Sequence, residues 1–255
     1  MRMLVVTLVS LLLVFQASAQ KQKSDREDAG LKGKVKTLAT EVAYISNQSG
    51  TWVEGKRQPS ATESYDINGN LTKRDSYDYM GNPFQSSVYS YIDGDRVVST
   101  HNTHIQHDYD PPPSVSATPR PNQVSSTSNP QYTGKLKYKY DDKGNRTEIA
   151  WYRNDGSLAV RDVSVFNPKG NRVEMTSYEA NGSMRRKATY IYDAQGNITE
   201  TLYHSSRPLD ERYSYTYEFD AKGNWIKRKT FKWVTKNGRS YFEPYEVTYR
   251  TIAYY

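Results

Sequence analysis

Tyr138-Lys139-Tyr140-Asp141-Asp142-Lys143-Gly144-Asn145-Arg146 carries the pattern on which the rest of the chain is built. Two tyrosines alternate with lysines, and the run ends in Asp-x-x-Gly-Asn. A period of two puts Tyr138 and Tyr140 on one face of a strand and Lys139 on the other. Gly and Asn tolerate the positive φ that a tight hairpin turn needs. The stretch therefore reads as the end of one strand, packed on one side and wet on the other, with a turn into the next.

The same signal recurs along the chain. Gly followed by Asn stands at Gly69, Gly81, Gly144, Gly170, Gly196 and Gly223, the last four separated by 26, 26 and 27 residues. An aromatic lies four residues before the glycine at Tyr65, Tyr140, Phe166, Tyr192 and Phe219. A second turn signal follows at Gly81, Gly156 and Gly182, so each unit holds two strands and two turns. Tyr213, Tyr215, Tyr217 and Phe219 alternate with Arg212, Ser214, Thr216 and Glu218, and no helical period is sustained after residue 30. The expected fold is all-β. It is an antiparallel β-meander of hairpin repeats in one elongated, twisted or curled sheet, with Tyr138, Tyr140, Tyr190, Tyr192, Tyr215 and Tyr217 on its packed face.

The repeated run resembles the YD repeat of RHS-type proteins. Tyr190-Ile191-Tyr192-Asp193-Ala194-Gln195-Gly196-Asn197-Ile198 matches it as well as the opening stretch does. Tyr217-Glu218-Phe219-Asp220-Ala221-Lys222-Gly223-Asn224-Trp225 keeps all but one aromatic identity, and Tyr65-Asp66-Ile67-Asn68-Gly69-Asn70-Leu71 also fits. The resemblance covers residues 60–98 and 134–232. In large RHS and Tc-toxin relatives such repeats build a spiralling β-shell around a toxic cargo. The five or six units here are too few for that, and the chain looks more like the short secreted YD-repeat proteins of bacteria.

Composition sets the limits. There is no Cys among 255 residues, which excludes a disulfide scaffold, a Cys-ligated metal centre and a cysteine nucleophile. Aliphatic residues are scarce while Tyr numbers 23, so any core must be largely aromatic. A net charge of +7 is modest for this length and argues against a disordered polyelectrolyte.

Residues 1–19 read as a signal peptide: Arg2, an apolar run from Leu4 to Phe15, then Ala17-Ser18-Ala19, with cleavage after Ala19. The run is too short for a membrane span. A soluble product, secreted or periplasmic, is expected. Lys21 to Gly30 is polar and is expected to fray. Residues 20–98 and 135–255 form two β-repeat segments. Between them residues 99–134, rich in Pro, Ser, Thr and Asn, read as a disordered insertion, because proline cannot serve a ladder and so polar a segment buries too little.

Candidate chemistry is sparse. His101, His104 and His107, with Asp108 and Asp110, have ligand chemistry for Zn, Cu or Ni, but a flexible polar loop is the simpler reading. Asp66, Asp141, Asp193 and Asp220 recur at turns, where Asx hydrogen bonds explain them. His204 occupies an aromatic slot and reads as structural. No G-x-S-x-G, phosphate loop or dinucleotide fingerprint occurs. No enzyme, cofactor or nucleic-acid partner is expected. Trp225, Lys227, Lys229, Phe231 and Trp233 alternate along one strand, with Tyr241 and Tyr245 beyond the next turn. Aromatic plates among cations suit sugar rings carrying acidic groups. The expectation is a non-enzymatic protein that binds an anionic surface polysaccharide or another envelope polymer. The alternative is a structural or protein-interaction module related to RHS toxin-delivery or adhesion systems.

Overall fold

The computed structural model describes residues 22–92, 95–102, 132–205 and 210–255. The expected signal peptide lies outside the described residues. One helical turn, α1 (Asp25–Asp28), precedes fifteen strands: β1 (Val35–Gln48), β2 (Thr51–Glu54), β3 (Gln58–Tyr65), β4 (Leu71–Tyr77), β5 (Pro83–Ile92), β6 (Asp95–Asn102), β7 (Tyr132–Tyr140) and β8 (Arg146–Arg153), followed by β9 (Leu158–Phe166), β10 (Arg172–Glu179), β11 (Met184–Tyr192), β12 (Ile198–Ser205), β13 (Glu211–Phe219), β14 (Trp225–Lys236) and β15 (Arg239–Tyr254).

The turns are built alike. At Asp141–Asn145 the Asp141 amide donates to the Asn145 carbonyl at 3.0 Å and the Gly144 amide to the Asp141 carbonyl at 3.0 Å. Asp141 Oδ1 accepts from the Asn145 amide at 2.8 Å, and Oδ2 accepts from Asn145 Nδ2 at 2.8 Å. Gly144 sits at φ +76°, a left-handed conformation that a side chain resists. Asp66, Asp78 and Asp193 bond their own turns in the same way. The recurrent Asp is thus a turn clamp. The bonds from Asn145, against a smaller effect of burial, hold the Asp141 carboxyl below its usual range.

A register shift follows each of these turns. Lys139 pairs with Glu148, but Tyr140 pairs with Arg146, which leaves Thr147 as an extra residue. Equivalent shifts follow Tyr65, Tyr192 and Phe219. Such bulges increase local twist, and twist accumulated over many strands curls the sheet.

The expected elongated sheet is corrected here. β1 pairs with β3 on one side and with β15 on the other, from Val35↔Tyr254 to Tyr44↔Glu246. The result is a closed antiparallel barrel of 14 strands, with β2 hairpinned off the far end of β1. Closure removes both raw edges of the sheet. The two expected repeat segments belong to this one barrel, because β6 and β7 are paired neighbours. Strand also enters the expected insertion from both sides: Ser99 pairs with Thr133 and Thr100 with Tyr132. Residues 103–131 lie outside the described residues.

Residues 22–34, expected to fray up to Gly30, cross the near end of the barrel. The Lys23 amide donates to the Gly144 carbonyl, the Arg26 amide to the Gly69 carbonyl, and the Lys32 amide to Asn224 Oδ1. These partners lie on turns widely spaced around the strand order. What holds the segment is polar: Asp25 accepts from Arg96 Nη1 at 2.9 Å, Arg146 Nη2 at 3.1 Å, Tyr91 Oη at 2.7 Å and the Leu71 amide at 2.9 Å. Side chains from β5, β6 and β8 meet at one carboxylate only if they point to the concave side. That face, which also carries Tyr138, is therefore the lumen. A small apolar cluster of Leu31, Val35, Leu38 and Tyr65, with Leu71, Ile252 and Tyr254 against it, seals the same end.

Candidate functional site: the tyrosine and arginine lumen

Following the register from Tyr138 around the barrel puts Tyr190, Tyr192, Tyr215 and Tyr217 on the lumen side, as the alternation leads one to expect. Arginines interleave with them. The Arg96 guanidinium lies 4.1 Å from the Tyr89 ring, Arg146 4.3 Å from Tyr138, Arg172 5.6 Å from Tyr190 and Arg228 5.1 Å from Tyr215. Guanidinium-over-ring contacts replace the aliphatic packing that this composition lacks. Burial raises the phenols of Tyr138, Tyr190, Tyr192 and Tyr215 above their ordinary value, and that of Tyr217 to about 12.

The outer wall differs. Lys139 bridges to Glu148 at 2.9 Å, Lys187 to Glu174 at 2.7 Å, Arg212 to Glu200 at 2.6 Å, Lys227 to Glu218 at 2.9 Å and Lys73 to Asp75 at 2.8 Å. These pairs are spread around the circumference, on residues that alternate with the lumen tyrosines. No helix among the described residues is long and apolar enough to cross a membrane.

Away from the N-terminal segment the lumen side holds a chain of tyrosine rings. Tyr44 and Tyr245 have centroids 6.2 Å apart, Tyr245 and Tyr213 5.7 Å, and Tyr213 and Tyr203 5.9 Å. A cavity of about 300 Å³ opens beside them, lined by Tyr203, Tyr213, Tyr215 and Tyr245 together with Glu211, Arg228, Thr230 and Glu246. Lys232 Nζ bonds Glu211 at 2.7 Å. Aromatic plates, carboxylate acceptors and cationic donors thus converge on one concavity.

The expected surface strip is divided by this geometry. Lys227, Lys229, Phe231 and Trp233 do share the outer face. Trp225 does not, because the bulge at Ile226 pairs it with Phe219 and turns it to the lumen. Tyr245 falls in a second bulge, between the Thr230↔Glu246 and Phe231↔Pro244 pairs, and meets Tyr213 and Tyr44 inside. Tyr241 lies opposite Val234, on the other face from Trp233, and donates to Glu243. Lys227 is held by Glu218, and Trp233 meets Phe242 edge-on with Arg212 above it. The sequence strip left out Tyr44 and Tyr203: the β12–β13–β14 pairing sets Tyr203 on the face of Tyr213 and Arg228, and closure of β1 on β15 adds Tyr44.

His101 lies on β6 and its side chain is not described, while His104 and His107 lie outside the described residues. Among the described residues no group of three or more His, Asp or Glu is placed to hold a metal. His204 Nδ1 is 2.8 Å from Asp210 in an exposed pair.

No protein-family model matches the chain, and no curated protein matches it. Among solved structures, a porin-like protein from Bacteroides uniformis ATCC 8492 is similar over 87% of this chain and 99% of its own, with 12% identity and a TM-score of 0.45. A porin-like protein from Bacteroides vulgatus ATCC 8482 is similar over 85% and 98%, with 13% identity and a TM-score of 0.36. A chain of the TcdB2–TccC3–Cdc42 complex aligns over 80% of this chain but only 14% of its own length, with 10% identity and a TM-score of 0.20. At these TM-scores nothing about function passes from those proteins to this one.

Proposed function

We propose that this protein is an exported, non-enzymatic, water-surrounded barrel that binds a saccharide of the cell surface or envelope in its lumen. The observation that carries the reading is the ring chain Tyr44–Tyr245–Tyr213–Tyr203 beside the Glu211–Lys232 and Glu246–Arg228 pairs. Tyrosine faces stack on the apolar faces of sugar rings, and the flanking charges hydrogen-bond hydroxyl groups. The site moves inward from the outer strip that the sequence suggests, because Trp225 and Tyr245 face the lumen. The outer wall supports a barrel in water. A lipid-facing wall needs an apolar band, and each Lys or Arg at mid-bilayer costs about 2–4 kcal/mol.

The test is a glycan array on the detergent-free protein lacking residues 1–19, followed by calorimetry on each positive. Tyr213→Ala and Tyr245→Ala are expected to weaken binding at least tenfold, and Trp233→Ala on the outer wall to leave it unchanged. A protein that needs detergent to stay monodisperse contradicts the water-facing wall. Absence of any saccharide binding, or binding lost through Trp233 rather than Tyr213, overturns the lumen site.

A further inference from the structure

Arg228 of β14 and Arg250 of β15 press against the same indole. The Arg250 Cζ is 3.4 Å from the Trp225 ring centroid and the Arg228 Cζ is 5.2 Å from it. Arg228 pairs in register with Thr248, so Arg250 is the next lumen position along β15. Like charges this close in a confined space ask for a counter-charge.

The near end of the barrel shows how the fold answers that demand. Arg96 and Arg146 also converge in the lumen, and the N-terminal segment delivers Asp25 between them. At Trp225 nothing equivalent arrives among the described residues. Glu246 reaches only Arg228, at 3.7 Å, and it also accepts from Thr230. Glu63 is taken by Arg74 at 3.3 Å and by the Tyr65 hydroxyl at 2.8 Å. Among the described residues no carboxylate lies within ion-pair distance of Arg250; the Nε atoms of the lumen arginines Arg96, Arg146, Arg228 and Arg250 are all buried without an acceptor, so what distinguishes Arg250 is the missing carboxylate. Burial first, and then the charge of Arg228, lower the Arg250 guanidinium to about 10 against the opposing pull of Glu63, so at neutral pH it remains a cation with no carboxylate in contact.

We propose that Arg228 and Arg250, backed by Trp225, form an oxyanion subsite of the lumen, which receives the acidic substituent of the bound saccharide: a carboxylate, sulfate or phosphate group. The planar guanidinium fork matches such groups in two-point hydrogen bonding. Arg228 also lines the tyrosine cavity, so the subsite adjoins the sugar-stacking rings. This inference deepens the saccharide reading and rests on it for the identity of the ligand, though not for the anion chemistry.

The probes are sodium sulfate, titrated against sodium chloride at matched ionic strength, and a hexuronate oligosaccharide beside its neutral counterpart, all with the purified protein. Low-millimolar sulfate is expected to raise the Tm saturably, at concentrations where general salt exclusion is small. Arg250→Met is expected to lose that response, to have a Tm no lower than the parent without sulfate, and to bind the hexuronate at least tenfold more weakly with the neutral sugar unchanged. Should Arg250→Met fail to fold, Arg228→Met carries the sulfate arm of the test and is expected to lose that response; because Arg228 also lines the tyrosine cavity, it is expected to weaken the neutral sugar as well. A sulfate response that is unsaturable and equal in parent and variant overturns the subsite. If neutral sugars still bind through Tyr213, the saccharide reading survives that result. If sulfate saturates but no saccharide binds, the saccharide reading falls and the anion site stands.

Discussion

Replacing Asp25 by Ala removes the counter-charge from two lumen arginines at once. The carboxylate is 8% exposed, its partners Arg96 and Arg146 are 6% and 8% exposed, and the contacts are 2.9 and 3.1 Å. At an effective dielectric near 20, unit charges about 4 Å apart attract by about 4 kcal/mol. Desolvation offsets much of that attraction, so the measurable quantity is the cost of stranding the guanidinium groups, about 3–5 kcal/mol. Arg146 keeps Asp28 at 3.5 Å, which places the expected value toward the lower end. At about 2–4 °C per kcal/mol for a chain of this length, the Tm should fall by about 6–20 °C. The pH dependence has a definite sign. Burial pulls the Asp25 pKa up, but Arg96, the Leu71 amide, Tyr91 and Arg146 outweigh it and leave the pKa lowered. The stabilisation is therefore fully present above the unfolded value near 4 and is lost as pH falls below it through the folded value. Thermal melts of parent and Asp25→Ala at pH 7 and pH 3, with trypsin cleavage at Lys23 and Arg26, are the assay. The gap between the two proteins should narrow at the lower pH. A fall under about 2 °C at pH 7, with Lys23 and Arg26 still protected, would show that Asp25 does not hold the segment in place.

Other outcomes follow from the same structure. Gly196→Ala, at φ +86°, should cost about 1–2 kcal/mol in denaturant unfolding, because the left-handed conformation penalises a Cβ. Tyr192→Ala, which strips a lumen ring whose hydroxyl bonds the Arg172 carbonyl, should cost toward the lower end of about 3–5 kcal/mol, while Lys139→Ala on the outer wall should stay within about 1 kcal/mol. Equal small shifts for both would contradict the assignment of faces. Asn224→Ala should release the N-terminal segment locally, since Asn224 accepts from the Lys32 amide and donates to the Lys32 carbonyl and the Tyr254 hydroxyl. Faster hydrogen exchange at Lys32, with strand amides unchanged, is the expected readout.

What the sequence made legible was local. The Asp-x-x-Gly-Asn turns and the Tyr/Lys alternation follow from backbone conformations confined to a few residues, and Tyr138, Tyr192 and Tyr217 take the faces that alternation assigns. Two things were not legible because each depends on residues far apart in sequence, and a third because side-chain alternation assumes an unbroken register that a bulge interrupts. Closure joins Val35 to Tyr254, and no local pattern marks that pair. The segment around Asp25 looks like a polar tail until Arg96 and Arg146 are placed opposite it. The bulge at Ile226 advances the register by one residue, which sends Trp225 inward while Lys227 and Trp233 stay outside. The chain of tyrosine rings inherits both difficulties, since Tyr44, Tyr203, Tyr213 and Tyr245 come from four strands and one of them sits in a bulge.

The β1–β15 seam has a consequence for how the molecule is made. Every other barrel pairing joins strands that are near neighbours in the chain, so hairpins can zip up in order as synthesis proceeds. β1 alone must hold one flank unpaired until β15 exists, some two hundred residues later. Until then the growing ribbon exposes the ladder groups of β1 along one side and those of its newest strand along the other, a shape open to annealing with a second ribbon. Intertwined dimers closed through a seam shared between copies are therefore the natural misassembly of this architecture. Rapid refolding at high concentration should favour them, and slow dilution should favour the self-closed monomer.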